Sequence, residues 1–188
     1  IAIALSQLGI TTTLITGPSD LISPKGIKVK KITSADEMLS AVKKSLPVDL
    51  AVCVAAVTDF KPVIKSKIKI KKENINFNSI NYVKNNDILE YICKHNKYRP
   101  RLVAGFSAET NDVTKNSINK MKRKHCDIIF ANNVSQKNIG FNSDYNKVSV
   151  IDKKGNVKII PKNKKSFIAN KIAEILLDKL VLDDRNIN

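Results

Sequence analysis

Three short stretches built almost wholly from apolar residues constrain this chain's fold more than any other feature: DLAVCVAA at 49–56, RLVAGFSAET at 101–110 and CDIIFAN at 126–132. Apolar runs of this length, bounded by polar and turn-forming residues, suit strands whose two faces are both covered. That is the signature of a parallel sheet packed between helices. An antiparallel sheet with one wet face would alternate apolar and polar residues instead.

Helical signals separate the strands. Ser34 has the chemistry of an N-cap, Asp36 and Glu37 fall in the first turn, and Ala35, Met38, Leu39, Val42 and Leu46 recur at helical spacing. A more polar helix is predicted near Val113 to Lys124, and TTTLIT (11–16) and IKVKKI (27–32) add two strands. Strands alternating with helices predict an α/β fold: a Rossmann-like open parallel sheet with helices on both faces. After Gly140 the pattern changes. KVSVID, a KKGN turn and VKIIP predict an edge hairpin, followed by an amphipathic helix from Asn163 to about Leu180. Residues 1–182 are expected to form one domain and 183–188 a frayed tail. The stretch from Phe60 to Val83 has strand-like alternation without a core-helix pattern, which suggests an extended flap or arm. The opening IAIALSQLG has the character of the later part of an apolar helix closing at Gly9, so a strand and a Gly-rich turn are expected ahead of it.

No apolar run approaches the roughly 18 residues of a membrane span, and no basic n-region precedes the first residues, so a soluble, cytoplasmic protein is expected. Cys53, Cys93 and Cys126 are far apart, with no CxxC and only His95 and His125 to help them, which argues against a zinc site or disulfide framework. The net charge of +16 raises nucleic-acid binding as an alternative function. Composition weakens it: 29 of 33 basic residues are Lys, beside 25 Ile and 20 Asn, as codon bias toward A and T would produce. The bidentate Arg fork that reads base edges is nearly absent. A dinucleotide-dependent oxidoreductase is the third reading, motivated by fold alone.

Ligands of open α/β sheets bind beyond the carboxyl ends of the strands. In AAVTDF, small Ala55 and Ala56 let a ligand approach the backbone, and Asp59 offers a carboxylate to a ribose hydroxyl, a base amine or a metal. In GFSAETN, Gly105 permits close approach and Phe106 offers a surface for a base. ANNVSQKNIGFNSD is rich in Asn that can bond a ligand or its own turns. In SKIKIKK, Lys67, Lys69 and Lys71 fall on one face of an extended strand, suited to a polyanion or to a solvated edge. Lys120 and Lys124 form an i, i+4 pair on one helix face, repelling each other unless an anion lies between them. No metal ligands are assigned.

Taken together, AAVTDF, KIKK (69–72), GFSAETN, the Lys120/Lys124 pair, ANNVS and GFNSD resemble phosphopantothenoylcysteine synthetase, the ligase half of the bacterial bifunctional coenzyme A biosynthesis flavoprotein. The resemblance runs from Ile1 to about Leu180. It implies joining of 4′-phosphopantothenate to cysteine with CTP and Mg2+ through an acyl-cytidylate, in a homodimer, with FMN only if a decarboxylase domain is fused upstream. It further implies Lys69 as the catalytic, nucleotide-contacting residue on a mobile strap. Ala55, Ala56, Asp59, Asn86, Asp87, Ile88, Leu89, Phe106, Lys120 and Lys124 become nucleotide contacts, with Asn86 standing where the family usually has Pro. The dimer contact is expected around Lys65 to Val83 and the hairpin near Lys147 to Ile160. The family's first strand, Gly-containing loop and an Asn that acts on the acyl-cytidylate have no counterpart in the 188 residues.

Overall fold

The computed structural model describes residues 1–64, 80–135 and 143–185. In chain order the elements are α1 (Ala2–Gln7), β1 (Thr13–Thr16), β2 (Lys28–Lys31), α2 (Ala35–Ser45), β3 (Leu50–Cys53), β4 (Phe60–Pro62) and β5 (Tyr82–Lys84). They continue as α3 (Ile88–Cys93), β6 (Leu102–Glu109), α4 (Val113–Lys124), β7 (Ile128–Asn133), β8 (Tyr145–Asp152), β9 (Val157–Lys164) and α5 (Lys165–Arg185). The central sheet has the order β3-β6-β7-β8-β9. Its first three strands are parallel and are supplied by the three apolar runs; β8 and β9 extend it as an antiparallel hairpin. β1 and β2 form a separate parallel pair, and β4 and β5 an antiparallel ribbon.

The continuous apolar character of β7 has a direct cause in the two-residue period of a strand. Ile128 and Phe130 enter one core with Ile168, Ile172 and Leu176 of α5, whereas Ile129 and Ala131 enter the other with Met38, Ile92 and Met121 of α2, α3 and α4. Ile128, Ile129 and Phe130 are fully buried. Removing each from water contributes about 1.5–3 kcal/mol. β6 divides in the same way, Leu102 and Ala104 facing α5 and Val103 facing the opposite core. A third small core joins Ala4 and Leu5 of α1 to Ala173 of α5, with Leu50 and Val52 of β3 against it. The result is a layer of helices on each side of one sheet.

Local signals set the helix ends. Ser34 accepts a hydrogen bond from the Glu37 amide at 3.2 Å, and the Glu37 carboxylate in turn accepts one from the Thr33 amide at 2.8 Å. This reciprocal arrangement starts α2, although Leu46 lies one residue past its end. α1 stops where Gly9 takes φ +81°, a conformation that costs other residues a Cβ clash. The run at 49–56 is strand only as far as Cys53, leaving Val54 to Asp59 as the loop beyond the strand's carboxyl end. α3 is the element that sequence periodicity did not foresee: Asn86 to Leu89, expected as nucleotide contacts, contain its start.

Candidate functional site

A crevice of about 2360 Å3 opens along the side of β3 and reaches the loop beyond its carboxyl end, with Phe106 of β6 in its lining. Nine of the eleven residues singled out from sequence line it: Ala55, Asp59, Asn86, Asp87, Ile88, Leu89, Phe106, Lys120 and Lys124. Ala56 is exposed next to Ala55 but is not part of the lining. Lys69 lies outside the described residues, as do the rest of SKIKIKK and Gly140 to Asn142 of GFNSD.

The loop holding Asp59 is clipped to the start of α3 by Asn85. Its backbone amide donates to the Asp59 carbonyl at 2.8 Å, and its side-chain amide donates to the Thr58 carbonyl at 2.9 Å. Asn85 is buried, and among the described residues its Oδ1 has no hydrogen-bond partner. Two residues on, Asp87 caps α3 by accepting from the Glu90 amide at 2.8 Å. Asp59 itself stays exposed at the crevice.

The two lysines of α4 have different surroundings. Lys120 Nζ donates to the Phe106 carbonyl at 2.8 Å. An ammonium has three donors, so that bond leaves two for a ligand. Lys124 is only 8% exposed; its Nζ is 2.6 Å from Asp87 Oδ2 and 3.0 Å from Glu90 Oε2. Burial works against its charge, but the hydrogen bonds to Asp87 and Glu90 outweigh burial and raise its pKa. Glu90 is held down to about 2, chiefly by its hydrogen bond to Lys94 and then by that to Lys124. The repulsion expected between Lys120 and Lys124 is therefore relieved by two carboxylates of α3 and its cap, with no anion required.

Phe106 stacks at a tilt on Phe130, with centroids 5.2 Å apart and planes 34° apart, and only partly faces the crevice. Gly105 has a different use from the close ligand approach expected of it: a Cβ there would stand 2.9 Å from Leu89 Cδ2, so the missing side chain makes room for α3. Asn85 and Glu90 are among the lining residues that sequence reasoning passed over. Asp87-x-x-Glu90 has the spacing of a capping box and was the available signal for α3.

Cys53, Cys93 and Cys126 are free thiols with pKa values pushed up to about 12, 12 and 11, mainly by burial, so at neutral pH they are not nucleophiles. Among the described residues no group of three or more His, Cys, Asp or Glu gathers as a metal site, and no helix is long and apolar enough to cross a membrane. Two of the four arginines serve the fold: Arg99 pairs with Asp127 at 2.9 Å, and Arg101 donates to the Leu180 carbonyl at 3.2 Å.

Helices on both faces of a parallel-stranded sheet, with a crevice beside β3 that reaches the loop beyond its carboxyl end, define a Rossmann-like ligand-binding domain. Residues 1–180 match the sequence profile of the DNA/pantothenate metabolism flavoprotein C-terminal domain, and the chain belongs to that family. It is 38% identical over 172 residues to the coenzyme A biosynthesis bifunctional protein CoaBC of Borreliella burgdorferi, covering 90% of this chain and 43% of that protein. It is 35% identical over 191 residues to CoaBC of Escherichia coli K12, covering 99% of this chain and 46% of that one. The chain thus spans less than half the length of these relatives. Among solved structures, the C-terminal domain of a CoaBC superposes with a TM-score of 0.74 at 26% identity, covering 97% of this chain and 80% of the other. A Cab2 variant in complex with phosphopantothenate-cysteine shares the fold, with a TM-score of 0.63 at 14% identity, covering 86% of this chain and 56% of its own.

Proposed function

We propose that this chain is the ligase unit, residues 1–182, of a coenzyme A biosynthesis enzyme, and that it joins 4′-phosphopantothenate to cysteine at the expense of CTP. Membership of the family supports the reaction class. The observation that carries the assignment to this crevice is convergence: Asp59, Asn86 to Leu89, Phe106, Lys120 and Lys124 come from four separate segments and line one cleft.

In the first step a substrate carboxylate oxygen attacks the α-phosphorus of CTP. The bond to the β-phosphate oxygen breaks, pyrophosphate leaves and an acyl-cytidylate forms. In the second step the cysteine amine attacks the acyl carbon, the bond to CMP breaks and the amine gives up a proton. Two anions must approach each other in the first step, so cations that meet the developing charge lower its barrier. We assign that role to Lys69, with Lys120 holding phosphate through its two remaining donors. Asp59 suits the ribose hydroxyls, and Phe106 with Ala55 and Ala56 suits the flat face of the base. Lys124 acts on nucleotide only against the competition of Asp87 and Glu90. Mg2+ is read as arriving with the triphosphate, where it would neutralise phosphate charge; Asp59 is the exposed carboxylate available to share it.

A homodimer is part of this reading. In the β4–β5 ribbon, Phe60 pairs with Lys84 and Pro62 with Tyr82, and the Val63 amide bonds the Asn81 carbonyl. In this register Phe60, Pro62, Tyr82 and Lys84 share one face, with Ile64 and Ile80 just beyond the paired residues, and all six are exposed, whereas Lys61 on the opposite face pairs with Asp36 at 2.6 Å. An apolar face of this kind suits a second copy of the chain. Val157 and Ile159 of β9 are also exposed, and the hairpin is the second dimer candidate.

The full-length protein mixed with CTP, Mg2+, 4′-phosphopantothenate and cysteine is expected to release pyrophosphate and CMP in equal amounts. Folded protein that releases neither and binds no CTP overturns the reading, and turnover with ATP alone overturns the nucleotide assignment. Lys69→Gln is expected to suppress the acyl-cytidylate while leaving the fold intact; wild-type turnover in that variant removes the role given to Lys69.

A further inference from the structure

An exposed carboxylate reads a ligand well only when the backbone beneath it is already fixed, because ordering a loop on binding costs affinity. The loop that carries Asp59 has little core to fix it. Val54, Ala55, Ala56, Thr58 and Asp59 are exposed, and Val57 packs partly buried against the core. Among the described residues the Asp59 carboxylate makes no hydrogen bond or ion pair, so its direction is not set by a side-chain partner.

The direction in which a side chain leaves the main chain follows from the two peptide planes that flank its Cα, since each plane is rigid and only φ and ψ turn between them. The plane before Asp59 carries the Thr58 carbonyl, and the plane after it carries the Asp59 carbonyl. Both accept from one residue. Asn85 Nδ2 donates to the Thr58 carbonyl at 2.9 Å, and the Asn85 backbone amide donates to the Asp59 carbonyl at 2.8 Å. Nδ2 also reaches Thr58 Oγ1 at 3.3 Å. The backbone bond continues the antiparallel ladder one pair beyond Phe60 and Lys84, and any residue except Pro supplies it. The bond to the Thr58 carbonyl needs a side-chain donor. Reversing the amide would set Oδ1 against that carbonyl, acceptor against acceptor, so this bond also fixes which end of the amide faces Thr58.

The other end of the amide is left unsatisfied. Asn85 is 7% exposed, and its Oδ1 has no partner among the described residues. A buried acceptor without a partner costs stability, and an apolar side chain at 85 would keep the ladder bond without that cost. Such a group calls for an explanation other than stability. Its place supplies one. Asn85 stands immediately before Asn86 to Leu89, the second segment assigned to the nucleotide, and it lines the same crevice as Asp59.

We infer that Asn85 is a positioning residue: by holding both peptide planes that flank Asp59, it aims that carboxylate at the ribose and so sets the preference for a nucleotide that carries ribose hydroxyls. The inference rests on the ligase reading above, in which Asp59 contacts the ribose.

The test is calorimetric titration of the full-length protein with CTP and with 2′,3′-dideoxy-CTP, each with Mg2+, in the parent, Asn85→Ala, Asp59→Ala and the double variant. Asn85→Ala is expected to weaken CTP about 10-fold, within the coupling seen between residues of one network, and to leave the dideoxy nucleotide within about 2-fold of the parent. The double variant is expected to bind CTP no more weakly than Asp59→Ala alone. Equal weakening of both nucleotides by Asn85→Ala overturns the inference, because a residue that merely supports the fold of the site affects both alike; additive losses in the double variant overturn it too. A parent that binds both nucleotides equally well removes the ribose role of Asp59 and this inference with it, leaving the ligase reading in place, whereas a folded parent that binds neither overturns both. Should Asn85→Ala fail to fold, Asn85→Ser takes its place, with 15N relaxation of the Thr58 and Asp59 amides as a readout that needs no nucleotide: increased motion confined to that loop supports the inference, and unchanged order in both amides rejects it.

Discussion

Lys124→Met removes an ammonium that joins α4 to the start of α3 while keeping the length of its aliphatic stem. The structure sets the size of the effect. Lys124 is nearly buried, but its partners Asp87 and Glu90 are 31% and 33% exposed at their side chains, and Glu90 keeps Lys94 at 2.6 Å. The loss therefore lies between that of a surface pair, about 0.2–1 kcal/mol, and that of a broken buried pair, about 3–5 kcal/mol. A value near 2 kcal/mol follows, roughly a 30-fold fall in the ratio of folded to unfolded protein. Urea unfolding should show a lower midpoint at an unchanged slope. A double-mutant cycle with Asp87→Asn should return a coupling of about 1 kcal/mol or more, because the two side chains share one contact. If Lys124 instead serves only a phosphate, Lys124→Met stays within about 0.5 kcal/mol of the parent and the whole effect appears in CTP affinity; that result refutes the reasoning.

Three further outcomes follow from the same geometry. Glu90 has a folded pKa of about 2, below its ordinary value, so it contributes stability that is complete above about pH 4.5 and is lost as the pH falls toward 2; acid titration of unfolding free energy should show Glu90→Gln with a shallower decline across that window, and parallel curves count against the pairing. Gly105→Ala is expected to cost about 1–2 kcal/mol by thermal unfolding, at the low end of overpacking because the atom met is the tip of Leu89, which can rotate; since Leu89 lines the crevice, CTP affinity should fall as well, and an unchanged Tm contradicts the contact. Ser34→Ala should destabilise by about 1 kcal/mol through loss of the bond to the Glu37 amide, with nucleotide binding untouched.

Parts of the site were legible in the sequence because their chemistry is local. AAVTDF follows an apolar strand, and an acid beyond a strand's carboxyl end is a ligand candidate wherever the sheet is parallel; Asp59 is at the crevice as that rule requires. Val113 to Lys124 was recognisable as a helix, and so was the pairing of Lys120 with Lys124 on one of its faces. What that face meets was not recognisable. Asp87 and Glu90 are 37 and 34 residues from Lys124, and only the docking of α3 on α4 brings them within hydrogen-bond reach. Gly105 was similarly misread, because the partner that needs its missing Cβ is on another element.

By itself the amino-acid order determined that the core is a parallel sheet between helices: runs such as IIFA must be buried on both faces, and only that architecture covers both. It determined the helix start at Ser34 as well, since a cap acts within three residues. Tertiary structure alone decided which charges are satisfied. Whether Lys124 meets carboxylates or solvent depends on distances of a few ångströms between segments far apart in the chain, and neither spacing nor composition encodes them.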